Sequence, residues 1–175
     1  MSFMRNPAEK KEPSIIETVV AERQANRVEA IERQIASLQE RIYDVRLADV
    51  DTKRLATAVI HAEKEFESWQ VGGKKDLLKL SKVEGTLHAV EVELERISSF
   101  IQKKPDEIEG LKKSLLSLNL SKPKVSEWVE KEHKKLVELW NAAVEMEGAG
   151  FSEKRARKIE KEMERVKGEM EGYRA

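Results

Sequence analysis

Apolar residues at Val28, Ile31, Ile35, Leu38, Ile42 and Val45 alternate three and four positions apart. This is the a/d seam of a coiled coil, because a 3.5-residue repeat keeps one stripe facing a partner as two helices wind together. Continuing by sevens would put Asp49 and Thr52 on the seam. A three-residue step instead gives Ala48, Thr52, Leu55, Val59, Ala62, Phe66 and Trp69 and resumes the alternation. Such a slip overwinds a coiled coil locally, so a bend or a change of partner is expected near Asp49 and Asp51. Residues 14–69 therefore read as one helix or two helices in line, a rod of roughly 84 Å at about 1.5 Å per residue.

Ahead of this stretch, residues 1–13 form a polar lead-in with prolines at Pro7 and Pro13. Ser14-Ile15-Ile16-Glu17 then has the form of a capping box, in which the hydroxyl and the carboxylate each bond the other residue's amide. Gln70-Val71-Gly72-Gly73-Lys74-Lys75 is the clearest break, since glycine reaches positive φ at little cost. The seam beyond it, Leu80, Val83, Leu87, Val90, Leu94, Ile97 and Ile101, runs without a fault. Two seams joined by a short turn fold back on each other, so residues 14–104 are expected to form a coiled-coil helical hairpin turning at 70–75.

Lys104-Pro105-Asp106-Glu107 reads as a stop and a restart, because proline pushes the preceding residue out of the helical region and acids favour a helix start. Residues 105–125 then hold a short helix (Ile108, Leu111, Leu115, Leu118) and a linker. Ser126 is expected to cap a helix over 127–147 whose apolar arc, Trp128 and Trp140 included, spans half the circumference and implies two neighbours. Gly148-Ala149-Gly150 ends it. Ser152 and Glu153 open the last helix, with its seam at Ala156, Ile159, Met163, Val166, Met170 and Tyr173. The expected fold is all-α: an elongated coiled-coil helical hairpin with a long N-terminal helix, then a small C-terminal helical bundle or hairpin over 126–175.

Composition agrees with long helices. Charged residues make up 38%, well above the usual quarter, while the regular apolar spacing argues against disorder. Lys and Arg total 33 and so do Asp and Glu, a balance that disfavours bulk nucleic-acid binding. The basic doublets (Lys74-Lys75, Lys103-Lys104, Lys112-Lys113, Lys134-Lys135) read as solvated helix faces, with a nucleic-acid or membrane-surface role as the lesser reading. With no cysteine, disulfides and thiolate chemistry are out, which suits a reducing compartment. No stretch approaches the roughly 18 apolar residues of a membrane span, and no signal or transit peptide is visible. Cytoplasm is the default location, although a processed organellar protein would read the same.

Chemistry is hard to find in this sequence. Only His61, His88 and His133 exist, and Glu130-x-x-His133 lacks the second such pair that a di-iron bundle needs. Gly72-Gly73-Lys74-Lys75 has neither the spacing nor the preceding strand of a phosphate loop. Neither catalysis nor a metal nor a cofactor is expected. Trp140 reads as core, whereas Trp69 beside the glycine turn and Trp128 beside the linker are candidate interface anchors.

The functional expectation is geometric. A second helix of about 28 residues covers only the C-terminal half of the long rod. Leaving the seam from Val28 to Val45 in water forfeits roughly 1.5–3 kcal/mol for each large side chain. Either residues 108–118 and the C-terminal helices fold back over Val28, Ile31, Ile35, Leu38, Ile42 and Val45, or another chain covers them. The favoured expectation is a protein partner in a homo- or hetero-oligomeric coiled coil, making the chain a structural or scaffolding subunit. The alternative is a compact monomeric adaptor that docks a partner through Trp128 or the basic doublets.

Overall fold

The computed structural model describes residues 14–45, 50–73, 76–118, 120 and 122–174. Among these the chain forms five α-helices and no strand: α1 (Ile15–Asp44), α2 (Val50–Val71), α3 (Leu77–Leu116), α4 (Pro123–Ala149) and α5 (Glu153–Arg174). The lead-in at 1–13, the register slip at 46–49 and the doublet Lys74-Lys75 lie outside the described residues. By packing, the chain divides into residues 1–34 and 35–175.

The first unit carries the start of α1. Ser14 N donates to Glu17 Oε2 at 2.8 Å and Glu17 N donates to Ser14 Oγ at 3.2 Å, so the reciprocal capping box forms as its sequence requires. Arg33 and Glu29, one turn apart, add an exposed pair at 3.1 Å.

In the second unit α3 is the spine, with α2, α4 and α5 each packed on it. Asp76 caps it by accepting from the amides of Leu78 and Lys79. Its buried stripe runs Leu80, Val83, Leu87, Val90, Leu94, Ile97, Phe100, Ile108, Leu111 and Leu115. The expected break at Pro105 is therefore absent. Proline inside a helix costs about 3 kcal/mol, through a lost hydrogen bond and a clash with the preceding turn. The apolar side chains at Ile108, Leu111 and Leu115 offset that cost by burial, and they stay on one face only if the helix continues.

The in-line reading of residues 14–69 also needs correction. Gln39 Nε2 donates to Glu63 Oε2 at 3.1 Å, whereas an unbroken helix would hold residues that far apart in sequence roughly 36 Å apart. The end of α1 instead lies beside α2, and Arg41 reaches Glu91 of α3 at 3.8 Å. Beyond the slip, Leu55, Val59, Ala62, Phe66 and Trp69 are all buried. Lys82 on α3 meets Glu65 on α2 at 3.5 Å, and Lys79 donates to Ser68 at 3.1 Å across the glycine turn, where Gly73 takes φ 86°.

α4 begins four residues earlier than expected. Pro123 occupies its first turn, where a missing N–H does no harm, and Ser126 lies inside the helix rather than capping it. Its buried face is Val125, Val129, Glu132, Leu136, Leu139, Ala143 and Met146, alternating four and three. Gly150 turns the chain at φ 99°. Ser152 Oγ then accepts from the amide of Arg155 and caps α5, whose Ala156, Ile159, Met163, Val166 and Met170 face inward.

Candidate interaction sites

Ile31, Ile35 and Leu38 are buried, while Val28, Ile42 and Val45 are half-buried. Ile35 and Leu38 belong to the second unit and are covered there without a second molecule. The apolar surface that does remain open on α1 lies earlier. Ile15 is 84% exposed, Ile16 76%, Val20 57% and Val19 40%. Spacings of one, four and five residues put these four side chains on one side of the helix, rotated away from the Val28–Val45 stripe. Sequence reasoning passed over them because they do not continue that alternation.

The tryptophans exchange roles. Trp69 is 3% exposed and stacks on Phe66, with ring centroids 6.1 Å apart. Its Nε1 is buried with no hydrogen-bond partner, so it is a core filler and not a surface anchor. Trp140, read as core, is half-buried and lies under Lys112, whose Nζ stands 5.9 Å from the ring. Trp128 is half-buried too. It donates to Glu169 Oε2 at 2.8 Å and leans on Tyr173, ring centroids 4.6 Å apart.

Two polar clusters fix α5. At its C-terminal half, Arg165 donates to Glu132, Glu162 and Glu169, and Lys135 also reaches Glu132 at 3.4 Å. The hydrogen bond from Arg165, with that from Trp128 behind it, holds the Glu169 carboxyl below its ordinary range. At its N-terminal end, burial acts to raise Glu153. Hydrogen bonds from Arg96 and Arg157 more than offset this, and the net shift is downward. Arg96 also sits 5.7 Å from the ring of Phe151, a fully buried side chain packed edge-on to Phe100. Phe151 went unnoticed in the sequence. Its signal is a hydrophobic staple: an apolar residue just before the Ser152 cap, with Ala156 at the fourth helical position.

In each of the three described basic doublets at least one lysine is paired within the chain. Lys104 pairs with Glu107, Lys112 with Glu109, Lys134 with Glu130 and Lys135 with Glu132. A different set of cations faces open space. Between the start of α4 and the end of α5 lies a cleft of about 860 Å³. Leu118 and Val125 form its apolar lining, Tyr173 stands at one side, and Lys122, Lys124 and Arg174 surround it. Among the described residues none of these three cations has an ion pair, and no acidic side chain lines the cleft.

Glu130 is exposed and paired to Lys134, so the Glu-x-x-His spacing with His133 forms no ligand set. Among the described residues there is no group of three or more His, Asp or Glu placed to hold a metal ion. Nor is any helix there long and apolar enough to cross a membrane. Compared with protein-family models, curated proteins and solved structures, the chain matches none.

Proposed function

We propose that this protein is a non-catalytic structural subunit that joins a larger protein assembly through a coiled-coil contact along α1. The observation that carries this reading is the open apolar face of Ile15, Ile16, Val19 and Val20. It sits on a helix start already fixed by the Ser14–Glu17 capping box, so a partner meets an ordered surface rather than one it must first fold. Each of these side chains contributes roughly 1.5–3 kcal/mol if a second apolar helix covers it fully. With Ile35 and Leu38 covered by the chain itself, the contact is proposed to start ahead of Val28. The test is the mass of the particle purified from its native source by light scattering, for the wild type and for Ile16→Glu with Val20→Glu. The expected result is a particle heavier than 20.1 kDa that falls to the single-chain mass in the double variant. A 20.1 kDa particle at all concentrations, with nothing co-purifying that the variant loses, would overturn the reading.

One observation favours a second reading, the monomeric adaptor. Ile35, Leu38 and Trp69 are buried within the single chain, so residues 35–175 need no oligomer to cover their core. In that case docking falls to the surface around Trp128: the purified chain alone runs at 20.1 kDa, and the heavier native particle survives Ile16→Glu with Val20→Glu.

A further inference from the structure

The geometry points to the cleft between α4 and α5 as a receptor for a short acidic peptide with apolar residues interspersed, presented by a partner protein. This deepens the adaptor reading and is independent of the α1 face. Lys122, Lys124 and Arg174 converge on one cleft without an ion pair among the described residues, in a chain whose charges balance 33 to 33. Placing cations together in this way raises the local potential and favours an anionic occupant. The positive end of the α4 dipole adds to it, since its first turn carries no acidic residue, although the amides of Val125 and Ser126 already donate to the Lys122 carbonyl.

The lining selects among anions. Pro123 and the Tyr173 ring are exposed apolar surface in the lining, with the buried Leu118 and Val125 beside them, which suits side chains better than a run of phosphates. Glu107 and Glu171 line the adjoining cavity with Lys167 and Arg174, so the positive excess ends there and an extended polyanion gains nothing further on that side. A short acidic stretch ends before that point. The volume also fits a peptide segment of a few residues rather than a folded domain. Trp128 reports on occupancy, because its ring contacts Tyr173 at the cleft edge.

The probe is a fluorescein-labelled peptide alternating Glu with Leu, titrated with the full chain and read by anisotropy and by Trp128 emission in a Trp69→Phe, Trp140→Phe background. Saturable binding is expected, weakened about tenfold by Lys122→Glu and again by Lys124→Glu, as for a partly solvated charge contact. It should also weaken as salt rises. Both lysines are exposed, so circular dichroism of each variant should stay unchanged. Ile16→Glu with Val20→Glu should leave peptide binding intact, which separates this site from the α1 contact. Equal binding of a Gln-for-Glu peptide, or charge reversals without effect, would overturn the inference. So would tighter binding of a single-stranded oligonucleotide or of anionic vesicles, which would make the cleft a phosphate reader. If the peptide fails while the native particle keeps its partner in the Ile16→Glu, Val20→Glu variant, the adaptor reading survives and this site does not.

Discussion

Glu132 on α4 accepts a hydrogen bond from Arg165 on α5 while only 2% of its side chain meets solvent. The carboxylate occupies a position in the stripe Val125, Val129, Leu136, Leu139, where an apolar residue would be expected. A buried charge is tolerable when partnered and costly when stranded. Arg165→Leu should therefore destabilise the protein by about 2–4 kcal/mol, because Lys135 alone is left facing Glu132. Glu132→Leu should cost under about 1 kcal/mol, since Arg165 keeps Glu162 and Glu169 and the stripe becomes wholly apolar. Urea unfolding of the two single variants and the double variant measures the asymmetry. Equal costs for the two would mean that the pair is a surface contact.

Acid should loosen the same helix at both ends. Glu153 and Glu169 have folded-state pKa values below their unfolded ones, so each contributes stability that is present above the ordinary carboxylate range. That contribution is lost as pH falls through the ordinary value of about 4.3 towards the lower folded one. The expected outcome is a melting temperature flat from neutral pH to about 5 and falling steeply below it. Glu153→Gln should lower stability at neutral pH and shallow the acid limb, because Arg96 and Arg157 lose the charge they pair with. An unchanged acid limb would remove Glu153 from the account.

The helical segments were legible because burial has a period, and the stripes of α3 and α5 can be counted off residue by residue. Helix ends are decided by competition between local and tertiary terms, and local signals lost at Pro105 and at Ser126. At Pro105 the burial of Ile108, Leu111 and Leu115 outweighs the local proline penalty. Gln39 meets Glu63 across α1 and α2, and the sequence slip near Asp49 allows either a bend or a new partner, which periodicity does not separate. The basic cleft was illegible for a related reason: Lys122 and Arg174 are far apart in sequence and only the packing of α5 on α4 joins them. The lysine doublets are the conspicuous basic feature of the sequence, yet Lys104 and Lys112 are each paired with a glutamate three residues away.

Trp69 and Trp128 should separate by solvent access. With its ring in the core, Trp69 as the sole tryptophan should emit in the blue and resist acrylamide, while Trp128 and Trp140 should be quenched readily. Trp69→Phe removes a buried N–H that has no acceptor and keeps a ring against Phe66. Its cost should stay below the roughly 3–5 kcal/mol of Trp69→Ala, because an unmade hydrogen bond disappears along with the lost volume. Red-shifted, quenchable Trp69 emission would return it to the surface role that its place beside the glycine turn first suggested.

Pro105 gives the sharpest check on the continuity of α3. If the helix runs unbroken from Leu77 to Leu116, Pro105→Ala supplies an amide to the turn before it and removes the ring clash. The variant should gain about 1–3 kcal/mol and hold its helix content on circular dichroism, with the gain read from urea unfolding. If instead the chain stopped and restarted there, proline would sit unstrained and would restrict the unfolded chain. Alanine would then be neutral or destabilising by up to about 1 kcal/mol. The two arrangements differ in the sign of one number, and that sign also bears on the register of the α3 stripe. Ile108 and Leu111 lie on the same stripe as Leu94 and Ile97 only while the helix between them is intact.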